Sequence, residues 1–210
     1  MKQTIFRHLV ALILMMCCTL GYAQTFEFDG LEYEVIDESN RYVEVVRGAD
    51  TKIVKIPSTV KRGGIIYTVT SIGEAAFWGC GDLISITLPS SLKSIGNMAF
   101  WLCSNLTSIT IPSSVTSIGN GAFYECEDLT SITIPSSVTS IGKCTFAGCS
   151  SLTSINIPSS VKSIGREAFL GCDNLTSITL PKHITNVDEL DIPEGVRIIR
   201  RWTNKNGRRA

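Results

Sequence analysis

The hydrophobic and polar positions of this chain repeat with a fixed period of 23 residues over most of its length. The phrase LTSITIPSSVTSIG begins at Leu106, recurs letter for letter at Leu129, and returns with two changes at Leu152. Glycines, phenylalanines, cysteines and prolines keep the same period over five repeats, from Gly73 to Pro181. A self-similar period of this length indicates stacked structural repeats.

Each repeat predicts two short extended segments and one turn. In the first copy of the phrase, Ile109 and Ile111 are two residues apart, which is the period of a strand. Pro112 ends this strand because proline donates no ladder hydrogen bond. Val115 and Ile118 predict a second extended segment. The sequence GAFYEC then predicts one helical or 3-10 turn, since it is too short for an independent helix.

One such coil cannot bury its own apolar face, whereas stacked coils cover one another. Parallel strands of successive coils then lie about 4.8 Å apart, so identical residues form ladders. The predicted fold is α/β, mostly β: a leucine-rich-repeat solenoid of 23-residue coils with a parallel β-sheet and short helical or 3-10 turns. Two of the predicted ladders are Phe77, Phe100, Phe123, Phe146 and Phe169, and Cys80, Cys103, Cys126, Cys149 and Cys172.

The repeat decays towards both ends, and this decay defines the predicted domains. Residues 24–50 alternate apolar and polar positions, which predicts an N-terminal β cap of two antiparallel strands. The solenoid spans residues 51–187 and includes a degenerate first coil with the insertion KRGGIIYT. Residues 188–210 are predicted to form a C-terminal half-coil and a basic tail, because terminal repeats need atypical, polar outer faces.

Residues 1–23 predict a secretory signal peptide. Lys2 and Arg7 precede the apolar run LVALILMMCCTLG, and small residues stand before a cleavage site at Gln24. A membrane anchor is the alternative, but the run is shorter than the roughly 20 apolar residues that span a bilayer. A lipid anchor on Cys17 is disfavoured because no small residue precedes it. The mature chain is therefore predicted to have no transmembrane segment and to be secreted or at the cell surface.

The phrase LTSITIPSSVTSIG followed by AFxxC resembles the BspA-like leucine-rich repeats. The preceding sequences FEFDGLEYEV, VKIPSTV and YTVTSIGEAAFWGC resemble the start of the same repeats. The resemblance covers about residues 26–181, and its motif is specific. It implies a secreted or surface protein that adheres to host matrix proteins, host cells or other microbes. It also implies binding rather than catalysis, although the repeat itself mainly specifies a scaffold.

The formal charge is balanced, with 19 Lys and Arg against 19 Asp and Glu. Without Lys2 and Arg7 of the predicted signal, 17 basic residues face 19 acidic ones, a net charge near −2. This balance argues against nucleic acid as a partner. Six basic residues and no acid lie between Gly195 and Ala210, which predicts a solvated tail or, alternatively, a contact with an anionic surface.

Six cysteines follow the predicted signal, five in the ladder and a peripheral one, Cys144. Six cysteines in an exported protein suggest disulfides. However, neighbouring ladder positions point their Cβ vectors the same way, which disfavours a bridge. We therefore expect buried thiols that pack as small hydrophobic groups. Because parallel thiols do not converge on one point, no metal site is predicted.

Groups suited to catalysis are sparse. His183 is the one histidine after the predicted signal, and no spacing supports a Ser-His-Asp or Cys-His grouping. The single glycine after isoleucine in each coil differs from the glycine-rich loops that hold phosphate. The sequence therefore predicts no enzyme activity and no cofactor.

Two surfaces are candidates for binding. The residue after the ladder phenylalanine is Trp78, Trp101 and Tyr124 in three consecutive coils, which predicts an aromatic stripe. The alternative is that these rings lie flat and cover the turns. The other surface is the regular Ser/Thr array of the strands, such as Ser108 and Thr110, which is more simply explained as a solvated strand face.

The sequence thus predicts a secreted or cell-surface, non-catalytic binding protein. Its expected partner is an extracellular protein, either host matrix or another cell surface. One alternative is a carbohydrate-binding module in which Trp78, Trp101 and Tyr124 stack on the sugar rings of a glycan. The other alternative is a structural surface protein that associates with copies of itself.

Overall fold

The computed structural model describes residues 25–49 and 51–201, which form sixteen β-strands and one short 3-10 helix. The predicted signal peptide and residues 202–210 of the predicted tail lie outside the described residues. The mostly β solenoid of stacked 23-residue coils, with parallel strands in register, is confirmed. No helix in the described ranges combines the length and the hydropathy of a membrane span.

The N-terminal cap, residues 25–49, contains three antiparallel strands, whereas the alternating pattern predicted two. They are β1 (Thr25–Phe28), β2 (Leu31–Asp37) and β3 (Tyr42–Arg47). The extra strand arises because Asp29 and Gly30 have φ values of 52° and 74°. Two successive positive φ values make the tight turn of a hairpin, and Asp-Gly is its sequence signal.

The insertion KRGGIIYT forms a second hairpin, which joins the cap to the coils. Its strands, β5 (Thr59–Arg62) and β6 (Ile65–Ile72), pair antiparallel around Gly63 and Gly64. β6 also pairs parallel with β3, so the cap continues directly into the solenoid. The short strand β4 (Ile53–Lys55) precedes this hairpin.

Each of the first five coils contributes one strand to each of two columns, and the last coil contributes one to the first column. In the first column β4 is followed by β7 (Ser85–Thr87), β9 (Ser108–Thr110), β11 (Ser131–Thr133), β13 (Ser154–Asn156) and β15 (Ser177–Pro181). In the second column β6 is followed by β8 (Ser94–Ile95), β10 (Ser117–Ile118), β12 (Ser140–Ile141) and β14 (Ser163–Ile164). Where strands pair from β7 onward in the first column, and throughout the second, serine faces serine and isoleucine faces isoleucine. These ladders explain why the period is constant.

The hydrogen-bonded sheets follow these columns. The second column joins the cap in a nine-stranded sheet, β1-β2-β3-β6-β8-β10-β12-β14, with β5 attached to β6. The first column is divided into a four-stranded sheet, β11-β9-β7-β4, and a three-stranded sheet that starts with β13 and β15.

The third side of the solenoid, here called the turn side, consists of residues 73–83 and their equivalents in the four following repeats. Its segments bend through hydrogen bonds between residues three apart, such as Cys103 N–H to Phe100 O at 3.2 Å. They are also joined to the next coil, as by Leu102 N–H to Tyr124 O at 2.9 Å. The turn side is therefore a rigid backbone surface and not a set of loose loops.

The core is built from the predicted ladders. Successive phenylalanine rings of the ladder stack with centroids 5.2 to 5.8 Å apart, and all five are fully buried. Gly119 shows why glycine keeps its period, because a Cβ there would lie 2.6 Å from the backbone of Gly96 and Asn97. Coils this close leave no room for a side chain at that corner.

Both ends of the core are covered. Gly48 of the cap packs against the ring of Phe77, and its N–H donates to Ala76 O at 2.6 Å. At the other end a 3-10 helix (Val187–Leu190) places the buried Leu190 next to Phe169. The chain then forms β16 (Arg197–Arg201), which pairs parallel with β15. The first part of the predicted basic tail is thus a strand of the solenoid.

Candidate functional site

The three candidate aromatics occupy one position on the turn side of the first three repeats. Trp101 and Tyr124 stack with ring centroids 4.0 Å apart and ring planes at 18°. Trp78 holds the same position one repeat earlier. All three side chains are half-buried. The column therefore has accessible aromatic surface without protruding from the solenoid.

The rings also cover parts of the turns. A Cβ on Gly121 would lie 2.9 Å from two atoms of the Trp101 indole, so this ring takes the space above that glycine. In the next repeats the column continues with Ala147, which is buried, and Leu170, which is 48% exposed. Both interpretations of the stripe thus apply in part, because the rings cover turns and still face solvent.

Two positions of each turn have left-handed backbone conformation, which the 23-residue pattern alone did not reveal. Glycine occupies four of these ten positions, and this recurrence is the sequence signal that could have identified them. Their φ values lie between 52° and 74°. The first position is Ala75, Met98, Gly121, Cys144 and Glu167, and the second is Gly79, Leu102, Glu125, Gly148 and Gly171.

Met98 and Leu102 place large apolar side chains at left-handed positions on either side of Trp101. Their φ values are 52° and 60°. This conformation costs a residue other than glycine about 1–2 kcal/mol. Both side chains are only half-buried, so neither fills the core. The fold therefore does not require these two residues, and they extend the apolar surface around Trp101.

The turn side of the first three repeats is acidic. Residues 73–83, 96–106 and 119–129 contain no base and five acids: Glu74, Asp82, Glu125, Glu127 and Asp128. Burial, followed by the charge of Glu125 and a hydrogen bond to it, raises the pKa of Tyr124. Its hydroxyl is therefore a neutral donor at physiological pH. The fourth and fifth turns differ, since they contain Lys143 and Arg166.

The five ladder cysteines form a buried column beside the phenylalanines. The Cys126 thiol donates to the carbonyl of Phe100 at 3.2 Å, and Cys149 and Cys172 make the equivalent contact in the following repeats. Burial raises the pKa of Cys172 to about 12, and those of Cys126 and Cys149 well above the ordinary value. These thiols are neutral and serve packing, because a nucleophile or metal ligand must be a thiolate.

Neither disulfides nor metal-binding groups are found in the part of the chain that the structure describes. None of its six cysteines is joined to another. Its His, Cys, Asp and Glu side chains form no group of three that could hold a metal ion.

Cys144 lies on the turn side and is half-buried. Its Sγ is 3.2 Å from Oε2 of Glu167, and Nζ of Lys143 is 3.5 Å from the same oxygen. Burial, the hydrogen bond to Glu167 and the charge of that carboxylate raise the pKa of the thiol. Cys144 is therefore mainly a hydrogen-bond donor and a poor nucleophile at neutral pH.

His183 has a structural role in the stacking of the coils, which the sequence did not indicate. It occupies the position that serine holds in the earlier repeats, and its Nε2 lies 2.7 Å from Val161 O. Ser137 makes the equivalent bond to Val115 O at 2.6 Å. The imidazole thus replaces a hydroxyl that, at Ser91 and Ser137, ties a coil to the preceding one.

The Ser/Thr face is partly used within the solenoid. Thr107, Thr130 and Thr176 each donate a hydroxyl hydrogen bond to a backbone carbonyl of the preceding coil, at 3.0 to 3.3 Å. These bonds secure the stacking beside the first column and leave fewer donors for a ligand. The threonines therefore have a structural reason to recur.

A shallow groove of about 410 Å³ follows the glycine column. It forms because the close approach of the coils excludes side chains at Gly96, Gly119 and Gly142. Asn97 and Asn120 border it, and the Asn120 N–H donates to Oδ1 of Asn97 at 2.9 Å. The remaining lining is Ser94, Ile95, Ser117, Ile118, Ser140 and Ile141. The lining of the groove mixes polar and apolar groups and includes no charged residue.

The comparisons with known proteins agree on the fold. Residues 70–201 match six copies of the BspA type leucine rich repeat region. The leucine-rich repeat protein TpLRR of T. pallidum has a TM-score of 0.68 and 28% identity, over 83% of this chain and 86% of that one. A leucine-rich repeat protein from Bacteroides ovatus has a TM-score of 0.66 and 32% identity, over 84% of this chain and 55% of that one.

The pneumococcal vaccine antigen PcpA shares the fold, with a TM-score of 0.58 and 24% identity over 85% of this chain and 46% of that one. No curated protein matches the chain. The family match covers well over half of the residues, and it includes the repeats that carry the aromatic column. The chain therefore belongs to the BspA-type leucine-rich repeat proteins.

Proposed function

We propose that this chain is a non-catalytic binding protein that is exported and binds an extracellular protein, in adhesion to host matrix or to another cell surface. The observation that carries the proposal is the aromatic column Trp78, Trp101 and Tyr124 on a rigid backbone surface. Tryptophan and tyrosine are enriched at binding hot spots. The neutral thiols of the core and the structural bond of His183 also support binding rather than catalysis.

The membership of the family supports an extracellular location, together with the predicted signal peptide. The apolar run after Lys2 and Arg7 has the form of an export signal. Secretion of the chain with an N-terminus at Gln24, measured by mass spectrometry of the culture medium and surface fraction, is the expected result.

Binding of residues 24–210 to a panel of purified extracellular matrix proteins tests the proposed partner. We expect saturable binding to at least one of them, and about tenfold weaker binding for W101A/Y124A, because truncated hot spots cost more than about 1 kcal/mol. L170A is the matched control, since Leu170 holds the same position two repeats beyond Tyr124. Equal affinities of wild type, W101A/Y124A and L170A contradict the role of the column.

A glycan is the second candidate ligand, and the uncharged groove along Gly96, Gly119 and Gly142 favours it. The groove borders on serine hydroxyls and asparagine amides, which suit the hydroxyl groups of a neutral saccharide. A glycan array with wild type and S117F, which would block the groove, distinguishes the candidates. Selective glycan binding that S117F removes and W101A/Y124A leaves intact places the function in the groove instead.

A further inference from the structure

We infer that the turn side of the first three repeats binds a cationic segment of the partner, one that presents lysine or arginine side chains. This inference rests on the proposed function, because it assigns the chemistry of the partner at the same aromatic column. The docking surface consists of Ala75, Trp78, Met98, Trp101, Leu102 and Tyr124, all of them half-buried.

The charge around the docking surface indicates a cationic partner. Its three turn segments contain five carboxylates and no base, and Glu74, Asp82, Glu127 and Asp128 are exposed. The turn segments of the fourth and fifth repeats are not uniformly acidic, because they contain Lys143 and Arg166. A surface of one sign steers and selects partners of the opposite sign. The acidic field thus coincides with the aromatic column.

The arrangement of the rings suits the stems of lysine and arginine better than the face of a sugar ring. Trp101 and Tyr124 cover one another at 4.0 Å, so each ring has one face already occupied. The accessible parts of these rings and the side chains of Met98 and Leu102 form an apolar surface. Long basic side chains lay their methylene stems on such surfaces while the charged end reaches a carboxylate.

Leu102 adds an observation that the fold does not explain. It has φ 60°, and the same position is glycine at Gly79, Gly148 and Gly171 and glutamate at Glu125, which also borders the docking surface. Glycine would remove the energetic cost of the left-handed conformation, yet a half-buried leucine is present beside Trp101. Backbone strain of this kind persists only where the surrounding structure enforces it, and it clusters at ligand-binding sites. We assign the Leu102 side chain to contact with the partner.

A decalysine peptide tests the inference, with decaglutamate as the opposite charge. Binding to residues 24–210 is measured by calorimetry at two salt concentrations. We expect the protein to bind decalysine and not decaglutamate, and to bind decalysine more weakly at the higher salt concentration. The substitutions E125Q/E127Q/D128N are expected to weaken the binding of decalysine about tenfold. The matched control is E27Q/E34Q/E194Q, which removes three negative charges away from the docking surface and is expected to change the affinity less than about twofold.

L102G separates the docking surface from general charge attraction. We expect binding about threefold weaker, with a Tm no lower than that of wild type, because glycine removes the strain while it removes the contact. The inference is overturned if both charge variants weaken decalysine binding equally, if E125Q/E127Q/D128N binds like wild type, or if L102G keeps full affinity.

The same variants distinguish this inference from the proposed function. One outcome is that W101A/Y124A loses affinity for a matrix protein, while E125Q/E127Q/D128N keeps the wild-type affinity at both salt concentrations. In that case the assignment of a cationic partner is wrong and the proposed function stands. If no variant of the column affects any matrix protein, the proposed function fails whether or not decalysine binds.

Discussion

Single residues of this chain divide into those that the stacking requires and those that it does not. Gly119 and His183 belong to the first group, because close backbone contact and a hydrogen bond to the preceding coil explain them. Leu102 belongs to the second group, and so does Glu44 of the cap. Glu44 lies directly opposite Glu34 in the β2/β3 pair, where like charges are unfavourable.

The substitution Glu44→Gln is expected to stabilise the protein at neutral pH. Burial, and then the charge of Glu34, raises the pKa of Glu44 above its ordinary value of 4.5. The stability that protonated Glu44 contributes to the wild-type protein is fully present below about pH 4.5. This contribution is lost as the pH rises through the raised pKa of Glu44 in the folded state. At pH 7 the amide removes the repulsion, so the free energy of unfolding should rise by up to about 1 kcal/mol.

Urea denaturation of both proteins between pH 4 and pH 7 measures this effect. The difference between E44Q and wild type should grow with pH across the interval. Glu194→Gln in an exposed turn is the control, and it should show no such growth. A difference between E44Q and wild type that is constant over the interval would contradict the assignment to ionised Glu44.

The coil is the element on which the stability of the molecule depends. Each coil buries the same apolar set against its neighbour, and stability in such solenoids is approximately a sum of repeats and their interfaces. The glycine corner sets the distance between coils. At Gly142 a Cβ would lie 2.5 Å from Asn120 N and from Gly119 C, both of them backbone atoms. Backbone cannot move aside without separating the coils.

Gly142→Ala is therefore expected to destabilise the protein by about 1–3 kcal/mol, the range for overpacked sites. Gly81→Ala is the matched control. A Cβ there would have its nearest contact at 3.6 Å, with Oγ of Ser104, and its effect should stay within about 0.5 kcal/mol. Urea denaturation compares the two, and equal effects would show that the glycine column does not set the coil spacing.

The elements also show what the sequence can and cannot predict. Ladders such as Phe100 on Phe123 were predictable, because a constant period dictates which residues stack. The left-handed conformation of Leu102 was not predictable from that residue, because leucine has no preference for a positive φ. The glycines at equivalent positions are the signal in the sequence that indicates it. The stacking of Trp101 on Tyr124 was predicted as a column, but its partial burial depends on the space above Gly121.

At the scale of the whole molecule, the first column of strands carries exposed basic residues at both of its ends. β4 is flanked by Lys52 and contains Lys55, and β16 carries Arg197 and Arg201. Edge strands are templates for pairing with another chain, and charged side chains prevent this. A head-to-tail contact of two copies along this column would bring like charges together. The charges at its ends thus oppose the self-associating alternative.

The double substitution R197E/R201E is expected to convert this repulsion into attraction. Light scattering should give a mass for the wild-type protein that does not depend on concentration. For R197E/R201E the mass should rise with protein concentration. It should fall when salt is added, because salt screens the new contacts between opposite charges. Arg200 stays unchanged since it donates to Ile184 O at 2.7 Å. K61E/K162E makes the same charge change at exposed sites outside these two strands and should remain like wild type. Equal association of R197E/R201E and K61E/K162E would show that net charge, and not the strand edges, controls assembly.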